Sequence, residues 1–202
     1  MSKRIAISMR RVVSDYGEAR DALASSWFHF ASAVLPNTLL VPVPNLMSSN
    51  KLQGMTDTLS LDGLILTGGD DWGLCQQRDF AEKWLFSWAM KKSFPVLGVC
   101  RGAQVINILC GGSLVPVAGH KAIRHSIELE GNTEMNVNSY HSLGIMEATL
   151  APSLEPLARA FDGSVEAFVM PRHPVTGIMW HPERENVTSE HDCSIITSLF
   201  GE

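Results

Sequence analysis

One segment restricts the fold more than any other: Pro95-Val96-Leu97-Gly98-Val99-Cys100-Arg101-Gly102-Ala103-Gln104. Residues 96–99 are apolar and read as a buried strand, and residues 103–109 read as the helix that follows it. Only one tight turn separates the two. Glycines at 98 and 102 bracket Cys100 as Gly-x-Cys-x-Gly, the spacing of a nucleophile elbow with cysteine in the position often held by serine. Such a turn is strained, so bulky side chains beside the nucleophile would clash. The helix N-terminus then faces the sulfur, and its partial positive charge favours thiolate, the nucleophilic form of cysteine.

A second segment supplies what a thiol nucleophile needs. About eighty residues later, Gly177-Ile178-Met179-Trp180-His181-Pro182-Glu183 reads as an apolar strand ending in a histidine and a carboxylate. His181 is suited to take the thiol proton, and Glu183 to hold the imidazole in one tautomer. A third apolar run ends in Thr67-Gly68-Gly69-Asp70. Gly68 and Gly69 leave backbone N–H groups unobstructed, and with the N–H of Arg101 they form a candidate oxyanion hole. Alone, the Gly68-Gly69 pair would read as an ordinary strand end. Beside the elbow and the His-Pro-Glu run it reads as part of one site.

The remaining pattern sets the fold class. Short apolar runs at 4–8, 38–43 and 63–66 alternate with helical patterns at 19–34, 48–58 and 79–92. That alternation predicts a parallel sheet covered on both faces. The second half changes character, with strand-like runs at 114–117, 126–130, 136–138, 165–170 and 176–179 and few helices between them. Residues 154–160 read as a short helix or turn, and 189–200 as a terminal helix N-capped by Ser189. No repeat, linker or charge block divides residues 1–202, so a single domain is expected. In open α/β sheets ligands sit beyond the carboxyl ends of the strands, where Gly68, Cys100 and His181 would meet if their strands are parallel neighbours.

Composition excludes several roles. A net charge of −5 argues against a non-specific nucleic-acid binder, and no apolar run approaches the roughly 20 residues that cross a bilayer. The apolar stretch after Lys3-Arg4 is too short for a secretion signal, so a reducing cytoplasm is expected. Cys75, Cys100, Cys110 and Cys193 form no C-x-x-C pair, and Cys110 reads as a small apolar core residue. His120, His125, His173 and His191 lack a catalytic partner in sequence, and their spacing does not outline a zinc site. Arg10, Arg11, Arg101 and Arg124 are either solvated surface charges or contacts for an anionic leaving group.

Taken in order, five pieces of the chain resemble the class I, triad-type glutamine amidotransferases, and among them the free-standing γ-glutamyl hydrolases. They are residues 5–10, 62–70, the elbow through Gly111-Gly112, Asn138-Ser139-Tyr140-His141, and 177–183, and they span nearly the whole chain. Met179 stands where that family usually has glutamine, and residues 71–77 form a shorter connection than usual. The resemblance implies a flavodoxin-like fold, with a central mostly parallel sheet, helices on both faces and extra strands in the C-terminal half. It implies a Cys100–His181–Glu183 triad that cleaves a γ-glutamyl amide through a γ-glutamyl thioester, with no cofactor and no metal. Gln104, Ser139, Tyr140 and His141 would border the glutamyl group. A γ-glutamyl-protected nucleotide or phosphoramidate of surface-polysaccharide synthesis is one substrate suggested by family context. Two other readings stay open: a glutaminase subunit that passes ammonia to a separate synthetase, and a non-catalytic sensor or chaperone on the same fold.

Overall fold

The computed structural model describes residues 2–129, 131 and 133–201. In chain order the first half contains β1 (Lys3–Ser8), β2 (Arg10–Val13), β3 (Ala19–Ala22), α1 (Ser26–Val34), β4 (Thr38–Val43), α2 (Ser49–Leu59), β5 (Gly63–Leu66), α3 (Gln76–Lys92), β6 (Val96–Val99) and α4 (Arg101–Leu109). The second half follows as β7 (Val115–Pro116), β8 (Lys121–Leu129), β9 (Thr133–Tyr140), β10 (Leu143–Gly144), β11 (Glu155–Ala160), β12 (Val165–Met170), β13 (Val175–Ile178) and α5 (Glu190–Phe200).

Nine strands form one sheet in the order β4-β1-β5-β6-β13-β12-β11-β8-β9. The first five run parallel, and the remaining neighbours pair antiparallel. Side-chain alternation along each central strand feeds two cores. Ala6, Leu64, Leu66 and Val96 join α2, α3 and α4 on one face, through residues such as Leu52, Leu85 and Ile106. Ile5, Ile7, Ile65, Leu97 and Val99 meet α1 and α5 on the other, through Trp27, Phe30, Ile196 and Phe200. Both faces are covered, as all-apolar parallel strands require.

Ser189 caps α5 as expected: its Oγ accepts from the Asp192 N–H at 3.0 Å and donates to Asp192 Oδ2 at 2.7 Å. Asp192 Oδ1 in turn accepts from the Trp180 indole at 2.8 Å, which fastens the helix to the segment bearing His181. Among the described residues no helix is long and apolar enough to cross a membrane.

Several elements differ from expectation. The predicted helix 19–34 begins only at Ser26, because residues 19–22 pair with β2 in a hairpin. Asp21 explains this: its carboxylate accepts from the backbone and side-chain amides of Asn45 and pairs with Arg11. These tertiary bonds override a weak local helix preference. Of residues 154–160, predicted as a short helix or turn, 155–160 form β11 between β12 and β8. Pro156 is unsuited to a helix interior. It lies on the stretch of β11 that does not pair with β8, so its missing N–H costs no bond there. The strands expected at 126–130 and 136–138 are longer, running over Lys121–Leu129 and Thr133–Tyr140 as a hairpin; Glu130 lies outside the described residues. The run at 114–117 reduces to Val115–Pro116, paired with β10 outside the main sheet.

The elbow packs its glycines against neighbours. A methyl group at position 102 would lie 2.0 Å from the Leu66 carbonyl oxygen, and one at 98 would lie 2.6 Å from Ile106 Cδ1. Gly102→Ala is therefore expected to destabilise the fold by roughly 1–3 kcal/mol, because backbone cannot yield as a side chain does. Urea unfolding checks this, as a lowered midpoint at unchanged slope.

Candidate active site

Strand register brings the three segments together. Leu66 lies opposite Gly98, and Gly98 opposite Gly177, in adjacent parallel strands. The residues beyond these strands, Thr67–Gly69, Cys100 and His181, therefore emerge along one edge of the sheet. Cys100 has φ 52° and ψ −107°, a left-handed conformation uncommon outside glycine. Its amide donates to Ile178 O at 2.7 Å and its carbonyl accepts from the Gln104 amide at 3.1 Å. Those bonds tie the strained turn to β13 and to the first turn of α4.

His181 is almost fully buried, and its Nδ1–H donates to Glu183 Oε1 at 2.7 Å. Asn138 on β9 grips the same residue from behind, accepting from the His181 N–H at 2.9 Å and donating to its carbonyl at 2.8 Å. Burial lowers the His181 pKa, but the Cys100 side chain and the Glu183 carboxylate outweigh it and raise the value to about 9. A Cβ at position 68 would stand 2.5 Å from His181 Cε1, so Gly68 is what lets the ring lie against the strand end.

Cys100 and His181 share a cavity of about 340 Å³ whose lining includes Gly69, Gln104, Tyr140, His141 and Arg10. Gln104 is buried, and its amide donates to Leu143 O at 2.7 Å. Tyr140 stands edge-on to His181, with ring centres 5.6 Å apart. Ser139 is not in this lining. Its hydroxyl donates to the His120 carbonyl at 2.5 Å and is wholly buried.

Of the four arginines, Arg101 departs from both sequence readings. Arg101 is 1% exposed and neither solvated nor turned to the cavity. Its guanidinium pairs with Asp79 at 2.6 Å and with Glu82. Arg124 bonds Glu185 and Asn136, and Arg11 pairs with Asp21. Arg10 alone of the four lines the cavity, 3.9 Å from Asp70.

A family model, that of Peptidase C26, matches residues 5–183. The chain belongs to this family. Peptidase C26 is a hydrolase family, so the coarse activity follows from membership. The chain is 30% identical over 190 residues to γ-glutamyl-CDP-amidate hydrolase of Campylobacter jejuni, covering 90% of each chain. It is 28% identical over 165 residues to γ-glutamyl-γ-aminobutyrate hydrolase of Escherichia coli O157:H7, covering 61% of this chain and 64% of the relative. Among solved structures it superposes on a glutamine amidotransferase from Thermotoga maritima with a TM-score of 0.62 at 15% identity, covering 100% of this chain and 83% of the other. That likeness confirms the flavodoxin-like amidotransferase fold.

Several residues of this C26 chain escaped the sequence reading. Arg78 and Glu82 sit four apart on the sheet-facing side of α3 and are both buried. Glu82 accepts from Arg78 at 2.8 Å and from Ser8 at 2.9 Å, and also holds Arg101. Arg78 donates to the carbonyls of Thr67 and Gly68 at 2.8 and 2.9 Å. One buried carboxylate thus braces the Gly68-Gly69 strand end against the elbow. An Arg and a Glu placed i, i+4 within an otherwise apolar helix face was the available signal. Lys121 and Arg184 also line the cavity, and Arg184 lies 4.6 Å over the Tyr140 ring. Finally, His120, His125 and Glu166 gather with their donor atoms within 4.8 Å of one another. Two histidines on β8 or its border and a glutamate about forty residues later show no recognisable spacing.

Proposed function

We propose that this protein is a cysteine hydrolase of γ-glutamyl amides, working through a γ-glutamyl thioester. The observation that carries the reading is a buried His181–Glu183 pair at 2.7 Å beside a cysteine held in a left-handed elbow, with Cys100 and His181 lining one cavity. In this reading the thiol proton already rests on His181 Nε2, and the Cys100 thiolate attacks the γ-carbonyl carbon. The carbonyl electrons move to oxygen, where the backbone N–H groups of Gly68 or Gly69 and Arg101 receive them; losing one such donor typically costs about 10²–10³ in kcat. His181 returns its proton to the departing nitrogen as the C–N bond breaks. Water, deprotonated by the same imidazole, then splits the thioester to glutamate and free thiol. Gln104, Tyr140 and His141 hold the glutamyl group; Ser139 supports that wall from behind through His120.

The cavity rim suggests the leaving group. Arg10, Lys121 and Arg184 bring three cations to the opening, against Asp70 and Asp71. That balance suits an amide whose amine side carries phosphate or carboxylate, and the Campylobacter relative's named substrate is of this kind. Lys121→Ala and Arg184→Ala are each expected to raise KM for a phosphorylated γ-glutamyl amide about tenfold with kcat little changed, from the loss of one charge-assisted bond. Neither should alter KM for glutamine. An unchanged KM for the phosphorylated substrate in both variants would remove the anionic leaving group.

Purified protein assayed against a panel of γ-glutamyl amides, glutamine included, tests the whole reading. Release of glutamate from several amides by the isolated chain supports it. Activity on glutamine alone, and only after a synthetase is added, would replace it with the ammonia-delivering alternative.

A further inference from the structure

Among the described residues, seven buried side-chain nitrogen and oxygen atoms lack a hydrogen-bond partner, and four of them belong to one cluster away from Cys100: His120 Nδ1, His125 Nε2, His141 Nε2 and Glu166 Oε2. The cluster exists because β8 starts well before its last pair with β11, Ile127↔Ala160. This overhang lays His120 and His125 against Glu166 on β12, and His141 arrives from the end of β9.

We propose that His120, His125 and Glu166 bind a divalent zinc-type ion, with His141 as the fourth donor. Distances argue first. Glu166 Oε1 lies 3.3 Å from His120 Nδ1 and 3.6 Å from His141 Nε2, and Oε2 lies 3.7 Å from His125 Nε2. These are long for hydrogen bonds. Zinc bonds of 2.0–2.2 Å in a tetrahedron place neighbouring donors about 3.3–3.6 Å apart; these carboxylate–imidazole separations come close to that, and the donor atoms of His120, His125 and Glu166 all lie within 4.8 Å of one another.

Tautomers argue second. His120 Nε2 faces Asp162 Oδ2 at 3.0 Å, and His141 Nδ1 faces the Leu143 carbonyl at 3.1 Å. Each ring spends its proton on that outer acceptor, so its inner nitrogen is a bare acceptor aimed at a carboxylate. Acceptor facing acceptor needs either an added ring proton or a metal ion between them, and one metal ion serves all the facing donors at once. A histidine ligand whose other nitrogen donates to a carboxylate or backbone carbonyl is also how proteins orient zinc-binding imidazoles. The Ser164 hydroxyl does not relieve Glu166, since its one proton goes to Asp162 Oδ1 at 2.7 Å rather than to Glu166 Oε1 at 3.3 Å.

Charge argues third. The His120 ring centre is 4.6 Å from that of His125 and 4.9 Å from that of His141. Three protonated rings at that spacing would repel one another around one negative charge, whereas two imidazoles and a carboxylate are a common zinc ligand set. Bound there, the ion staples the β8 overhang to β12 and fixes His141 in the cavity wall.

The experiment uses Cys100→Ser protein, so that the reactive thiol takes no metal. The protein is loaded with zinc, desalted and assayed for metal, and a parallel sample is titrated with cobalt(II). About one zinc per chain, the visible absorption of tetrahedral cobalt and a rise in Tm with zinc are expected. Glu166→Gln and His120→Ala should lose the metal. Asp162→Asn, at a half-exposed position chosen to preserve folding, should weaken binding about 10- to 100-fold. Failure to retain zinc, with no cobalt band and no change in Tm, would overturn the site and leave the cluster held by protons. Undiminished zinc affinity in Asp162→Asn together with retention in Glu166→Gln or His120→Ala would also overturn it, placing the metal elsewhere.

Discussion

Cys100→Ala is expected to lower kcat/KM for γ-glutamyl amide hydrolysis by about 10⁴- to 10⁶-fold, with the substrate still bound. The size follows from the proposed role: without sulfur no thioester forms, and only the oxyanion donors and binding contacts remain to assist direct attack by water. Folding should be little affected, because alanine meets the same φ of 52° that cysteine does. Steady-state rates measured with a γ-glutamyl amide check the loss, and unchanged Tm separates it from unfolding. A glutamine-like diazo-ketone should label Cys100 in the parent protein ahead of Cys75, Cys110 and Cys193. Label found on another cysteine, or activity retained above about one part in a hundred, would sink the nucleophile assignment.

Glu183→Gln is expected to reduce kcat by about 10²–10⁴-fold, because an amide holds the imidazole less firmly and does not stabilise its charged form. The same variant carries a pH signature. In the parent, His181 stays protonated up to about 9 because the Cys100 side chain and Glu183 outweigh its burial. The proton destined for the leaving nitrogen is present below that value and lost above it, so kcat/KM should fall on an alkaline limb near pH 9. Removing the Glu183 charge should move this limb to lower pH. Folding stability follows the same sign. The contribution of His181 is complete below about 6.5, its ordinary value, and disappears as pH rises through about 9. A pH–rate profile of both proteins tests it; a limb at the same pH in both would dissociate Glu183 from the histidine.

The central strands and the elbow were legible because their signals are local. Residues 96–99 are apolar and short, and glycines bracket one cysteine. Ser189 was readable for the same reason, since a cap acts within three residues. The hairpin of β2 and β3 was not readable. Asp21 is satisfied by Asn45, far along the chain, and nothing near Asp21 announces that contact. β11 hid behind helix-favouring residues and is held as a strand by its two neighbours.

At the candidate site the division is chemical. Sequence by itself determined which groups could react: a thiol between glycines, a histidine with a carboxylate two residues on, and a glycine pair at a strand end. Their order along the chain sufficed, because each signal is carried by bonded or near-bonded neighbours. Tertiary structure decided which groups support them. The Glu82 brace, the Asn138 grip on His181, the cations at the rim and the histidine cluster around Glu166 each join residues from separate strands or helices. Buried charges find partners through space rather than along the chain, so no spacing rule records them until the sheet has set its register.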